Sequence, residues 1–179
     1  MSDELTYEEL CVASDSELER LLIGGFLPEL DELAGWEFRG YNTGQSAELI
    51  RARKFKKGFH RDPADPHALR GYNVVVRQNG LPNPWIEVLR HGEPIRHALY
   101  LVHPVRPGDR DSSYPRALLL DYGRGHNPPL HPARALRDYV ARIYRHNTDL
   151  YLGKAYGAIG RLRIPLGYFV LERYNQVLD

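Results

Sequence analysis

From Asp149 to Arg173 the chain reads DLYLGKAYGAIGRLRIPLGYFVLER, two apolar runs joined by Gly160, Arg161, Arg163 and Pro165. A strand turns successive side chains to opposite faces. In the first run Leu150, Leu152, Lys154 and Tyr156 share one face, and Tyr151, Gly153, Ala155 and Gly157 share the other. In the second, Gly167, Phe169 and Leu171 oppose Leu166, Tyr168 and Val170. A period of two with turn residues between predicts two strands of a hairpin. Both faces carry apolar residues, so both must be covered. One face lines an interior, and the other meets a helix, a second sheet or a partner. Glycines at 153, 157 and 167 point to sharp coiling or close backbone approach, as in a curved or closed sheet.

The rest of the chain supplies more strands and few helices. Residues 1–13 are expected to be a flexible lead. Ser14 with Glu17 has the capping-box spacing, ahead of Leu18, Leu21 and Leu22, and Gly24–Gly25 ends that helix. Pro28 opens a second short helix through Leu30 and Leu33. The helical lead-in, 14–34, is expected to cap one end of the sheet. Strands are expected at 36–41, 72–76, 85–90, 95–102, 116–122 and 136–144. Ser46–Arg51 reads as a helical turn, and 51–59 as either a short strand or an irregular helix. HRDPADPH (60–67), QNGLPNP (78–84), 104–114 and 123–133 read as turns or loops, the third of them as a lid or a plain insertion. Such a series is mostly β and antiparallel, and without long crossover helices it closes best as an up-and-down barrel of roughly seven to nine strands. Residues 14–179 then form a single domain.

Composition removes several classes. A net charge of +1 gives no field for nucleic acid. One cysteine, Cys11, excludes an intrachain disulfide and a cysteine-based metal cluster, and its polar surroundings make it incidental. The acidic start MSDELTYEEL is unlike a signal peptide, and no run reaches the length of a membrane span, which together predict a cytoplasmic protein. No P-loop, dinucleotide fingerprint, HExxH or G-x-S-x-G occurs, so nothing calls for a cofactor or a metal. Twelve tyrosines stand against five phenylalanines. Tyrosine brings apolar area with a polar tip, which suits an amphipathic cavity, although strand propensity accounts for it equally well.

With the strands placed, the chain resembles lipocalin-like proteins in the broad calycin sense. Gly35–Trp36 precedes the first strand, and GWEFRG resembles the GxWxG-type opening of small bacterial lipocalin-like domains, with its second glycine, Gly40, one residue late. The resemblance implies a Trp36 ring packed across the closed end of the barrel under a late basic residue, Arg173 or Lys154. It covers about residues 35–174 and implies a cavity for a small apolar or amphipathic molecule, not a particular cargo.

Candidate site residues follow from position. His97 and His103 fall on one face if their strand is regular, but about 20 Å apart, too far to share a metal. Asp121 paired with His97 would make an acid–base couple for proton transfer; the plainer reading makes Asp121 a turn acceptor at a strand mouth. Arg51, Arg53, Lys54, Lys56 and Lys57 form a basic cluster that would steer an acidic headgroup, or else a solvated face. Tyr72, Tyr100, Tyr156 and Tyr168 are candidate cavity-lining residues. Trp36, Arg39, Lys57 and His97 complete the candidate ligand-binding set.

Three functional readings remain open. The first is binding of a small hydrophobic or amphipathic molecule, acidic ones included, in a barrel cavity. The second is an isomerase, cyclase or hydratase using His97, Asp121 or a tyrosine as its acid–base group. The third is a solid barrel acting through its outer surface as a homodimer rather than a monomer.

Overall fold

A computed structural model describes residues 4–44 and 52–177. Eight strands close into an antiparallel barrel: β1 (Trp36–Asn42), β2 (Lys54–Asp62), β3 (Asp65–Val75), β6 (Arg96–Pro104), β7 (Leu118–Asp121), β8 (Leu136–Arg142), β9 (Leu150–Ile159) and β10 (Leu162–Gln176). Each strand pairs with its neighbour in the chain, and β10 returns to β1 through Gly40↔Leu171 and Tyr41↔Val170. The order is up-and-down, so no backbone edge is left open. A small hairpin, β4 (Leu89–Arg90) and β5 (Glu93–Pro94), lies outside the barrel between β3 and β6, where a longer strand over 85–90 was expected.

Alternation divides the apolar residues into two cores. Phe38, Phe59, Leu69, Tyr100, Leu118, Leu120, Val140, Tyr151, Phe169 and Leu171 fill the interior. Leu119, Tyr139, Ala141, Leu150, Leu152, Tyr168 and Val170 face outward into a second core, which helices α1 (Tyr7–Val12) and α2 (Asp15–Gly24) close over β9 and β10 and to which Val105 and Tyr114 belong. Both faces are therefore covered over residues 150–152 of β9 and 168–171 of β10, while Ile159, Leu162, Ile164 and Leu166 near the hairpin tip are exposed. α2 starts at Ser14, whose hydroxyl accepts from the Glu17 amide. α1 occupies the expected flexible lead. Thr6 and Glu9 cap it reciprocally, and Tyr7, Leu10 and Cys11 are buried under it. Cys11 is thus a core residue, and burial pushes its thiol up to about 12. The apolar spacing Tyr7, Leu10, Cys11 at i, i+3, i+4 was the available signal for this helix.

One end of the barrel is plugged. The short helix α3 (Leu30–Leu33) sets Leu30 and Leu33 into the interior core. The Arg173 guanidinium lies 4.6 Å from the centre of the Trp36 ring. Its Nη2 donates to the carbonyls of Glu32 and Thr148. Edge-to-face contacts run from Tyr151 to Phe38, Phe59, Tyr100 and Tyr122 at 5.1–5.7 Å between ring centres. Two of the inward rings lie over glycines of a neighbouring strand. A Cβ on Gly153 would sit 2.1 Å from Phe169, and one on Gly71 would sit 2.2 Å from Tyr100. Of the three glycines expected to permit coiling or close approach, Gly153 makes room for an aromatic ring, and Gly167, with a φ of 129°, sits at the register shift of β10.

Some expected boundaries moved. The basic segment is a strand, β2, and the supposed loop 60–67 is mostly paired chain, with Asp62↔Asp65 closing a tight β2–β3 turn. The helical turn proposed for Ser46–Arg51 falls on 46–51, outside the described residues. The 104–114 segment is no lid. Tyr114 packs into the outer core, and Asp111 pairs with Arg137 and Arg163 on the outer wall.

Candidate functional site

The plug fills one half of the barrel and leaves space in the other. A cavity of about 430 Å³ opens at the far end. Its wall is built where β1 and β3 end and where β2, β6, β8 and β10 begin. Phe55, Val75, Leu136, Ala155, Leu166 and Phe169 give it an apolar lining. Asn42, Thr43 and Gln78 stand among its polar wall residues.

Charge is concentrated at the base. Lys57 sits between Phe55 and Phe59 on the inward face of β2, and its Nζ is 3.0 Å from Asp138 Oδ2. It also donates to Tyr122 Oη at 2.5 Å and to Asn73 Oδ1 at 3.0 Å. The Tyr122 hydroxyl in turn donates to Asp138 Oδ2 at 2.8 Å. Three strands beyond β2 therefore meet at one ammonium: Asn73 from β3, Tyr122 from the end of β7, and Asp138 from β8. The Lys57 side chain is 3 % exposed and that of Asp138 6 %. Rings of Phe55, Tyr100, Tyr122 and Phe169 surround the nitrogen at 5.1–5.4 Å. Burial holds the Lys57 pKa below the usual amine range, opposed by the charge and hydrogen bond of Asp138. The same burial raises the Tyr122 hydroxyl well above its ordinary value, with the Asp138 charge adding to the effect.

The sequence-derived candidates separate sharply. Lys57 and His97 line the cavity. His97 stands at the mouth, its pKa lowered by desolvation and by the nearby charges of Lys57 and His131. The pairing of His97 with His103 on one face fails. Ala98 takes a positive φ of 50°, and the β3–β6 register shifts between Gly71 and Asn73. That irregularity turns His97 inward, while His103 stays on the outer face opposite Leu119. The His97–Asp121 couple fails for the same reason of facing. Asp121 points outward, pairs with Arg137 at 3.2 Å and accepts from the Gly123 and Arg124 amides. It is the turn acceptor of the plainer reading.

Trp36 belongs to the plug. Arg39 is on the outer wall, paired with Glu172 and Glu8 and lying 4.2 Å from the Tyr7 ring centre. Tyr100 is fully buried below the cavity, donating to the Gly58 carbonyl. Tyr72 faces outward and donates to Glu37. Tyr156 also faces outward, beside Tyr114. Tyr168 contributes to the cavity wall, but its hydroxyl reaches Glu19 of α2 on the outside. There Glu19 also accepts from Lys154 and Tyr114, a cluster that ties α2 to the barrel. Arg51 of the basic cluster lies outside the described residues, and the three lysines of that cluster do not form a solvated face. Lys54, Lys56 and Lys57 are all buried. Lys54 donates to the carbonyls of Gly80, Asn83 and Pro84, and Lys56 pairs with Glu87 and Glu37.

Sequence reasoning missed Asn73, Tyr122 and Asp138. Each carried a signal: a polar group in the parity of an inward apolar row. Asp138 stands between Leu136 and Val140, Tyr122 follows Leu118 and Leu120, and Asn73 lies between Gly71 and Val75.

Among the described residues, no group of three or more His, Cys, Asp or Glu side chains could hold a metal ion. No helix among them is long and apolar enough to cross a membrane. Fold and site together define a closed up-and-down barrel, solid at one end and hollow at the other, with one buried ion pair at the floor of the hollow. No protein-family model matches this chain, and a search of curated proteins found no match.

Proposed function

We propose that the protein binds a small amphipathic molecule in the open half of the barrel. The observation that carries this reading is the cavity of about 430 Å³ with a buried Lys57–Asp138–Tyr122 group at its base. The volume falls in the range of roughly 300–1,000 Å³ typical of small-molecule sites. An apolar body would lie against Phe55, Leu166 and Phe169, and a polar end would meet the base. One cation and one anion cancel there, so a free acid would face the Asp138 carboxylate. A neutral head that exchanges hydrogen bonds, such as a carbonyl or hydroxyl, is matched better. The solid-barrel reading loses ground to this volume, and the paired His97–Asp121 form of the enzyme reading to the separation of those two residues. Kinship with lipocalin-like proteins is part of the proposal. It draws support from the eight-stranded antiparallel order and from Arg173 over Trp36. A cytoplasmic monomer or homodimer is the setting we assign.

The test is displacement of an environment-sensitive anilinonaphthalene dye, run beside native mass spectrometry of protein taken directly from cells. Ala155→Trp fills the cavity from its wall. The proposal expects dye binding to the parent protein and an affinity loss of about tenfold or more in Ala155→Trp, with unchanged circular dichroism. Equal binding by both, or binding by neither, would overturn it.

A further inference from the structure

Lys57 has a second property that ligand binding alone does not require. It is a primary amine at the dry end of a cavity, with a carboxylate and a phenol in direct hydrogen-bond reach. The chain's other lysines are engaged elsewhere: Lys54 with backbone carbonyls, Lys56 with Glu87, and Lys154 with Glu19. From this geometry we infer that Lys57 captures an apolar aldehyde or ketone as a covalent imine. The inference rests on the cavity reading above and names the chemical class of the guest.

The chemistry balances without an added reagent. The Lys57 ammonium passes a proton to Asp138 Oδ2, 3.0 Å away. Its freed electron pair forms a C–N bond to the carbonyl carbon, and the C=O π pair moves to oxygen. That oxygen takes a proton from Tyr122, which recovers one from Asp138 across their 2.8 Å hydrogen bond. The carbinolamine nitrogen, still cationic, next gives a second proton to the Asp138 carboxylate; its freed electron pair forms the C=N bond as the C–O bond breaks, and the departing hydroxyl takes that proton and leaves as water. The sum is aldehyde plus ammonium giving iminium plus water. One positive charge is present before and after, so Asp138 keeps a cationic partner at every resting stage. A buried ion pair that would be costly to break is preserved by the reaction. Burial assists, because it holds the amine below its ordinary basicity and raises the fraction able to attack.

The experiment uses octanal and octanol on the full-length protein. Octanol reports non-covalent occupancy through dye displacement. Octanal with cyanoborohydride reports the imine, which is reduced to a stable octyl-amine and located by peptide mass spectrometry. The expected result is displacement by octanol together with octylation of Lys57, about tenfold or more faster than at any other amine, because the cavity holds the carbonyl against it. Lys57→Arg, which keeps a cation beside Asp138, should lose the adduct. Displacement by octanol with Lys57 labelled no faster than the other lysines overturns the covalent inference and leaves the cavity reading standing. Failure of octanol to displace the dye, with no labelling of Lys57, overturns both. Because the parent protein supplies the peptide map, the result does not depend on the variant folding.

Discussion

Removing one partner of the Lys57–Asp138 pair should destabilise the barrel far more than removing both. The charges are 3.0 Å apart, with side chains 3 % and 6 % exposed. At an effective dielectric constant near 20, that separation corresponds to about 5 kcal/mol of attraction before desolvation is counted. Lys57→Met leaves the carboxylate with only Tyr122 as donor, and Asp138→Leu leaves the ammonium with Tyr122 and Asn73. Each single change should cost about 3–5 kcal/mol, the usual penalty for stranding a buried charge. The double variant replaces the pair by apolar atoms among Phe55, Tyr100 and Phe169, and the Tyr122 hydroxyl still meets Asn73 at 3.4 Å. It should lie within about 2 kcal/mol of the parent, giving a coupling energy of roughly 4 kcal/mol or more. Urea unfolding followed by the fluorescence of Trp36 and Trp85 measures all four proteins, and an unchanged m-value licenses the comparison. Single variants costing under about 1 kcal/mol, with additive behaviour, would mean that water solvates the pair and that the floor of the cavity is not dry.

Two further outcomes follow from packing and burial. Gly153→Ala forces a methyl into the Phe169 ring; it should cost about 1–3 kcal/mol and, by driving that ring into the cavity, weaken dye binding, both read from the same titrations. Stability should also fall above pH 10, where the unfolded chain ionises tyrosines that the folded one keeps protonated. Tyr100 and Tyr122 are held well above their ordinary value, so each contributes stability that is complete below about pH 10 and is lost with a slope of about 1.4 kcal/mol per pH unit above it. Lys57, held low, acts in the opposite sense. The unfolded chain keeps its proton over a window below the free lysine value, so stability rises with pH there. Urea midpoints across alkaline pH, with Tyr122→Phe removing about one proton from the slope, check this. A native tyrosinate absorbance that titrates wholly near pH 10 would refute it.

The barrel was legible because β9 and β10 alternate cleanly over long runs, and because period two survives whatever a strand packs against. Inside and outside were not legible, since helices α1 and α2 make the outer wall as apolar as the inner one. The site was harder. Lys57 shares its parity with Phe55 and Phe59, and that marks it. Its partners come from strands 16, 65 and 81 residues away in the chain, and only the register around the closed sheet brings them together. His97 was assigned to the right cavity for a partly wrong reason: a regular strand would have kept it level with His103, and the turn of backbone at Ala98 separates them.

The seam between β1 and β10 also dictates when the molecule can finish forming. β1 starts at Trp36, and its partner on that side, β10, is made after the other seven barrel strands. A nascent chain can zip β1, β2 and β3 early, since their contacts are local. It cannot shut the cylinder until the residues around Leu171 have left the ribosome. Until then the aromatic lining of the hollow is open to solvent, and this unfinished trough is the species that chaperones would have to shield.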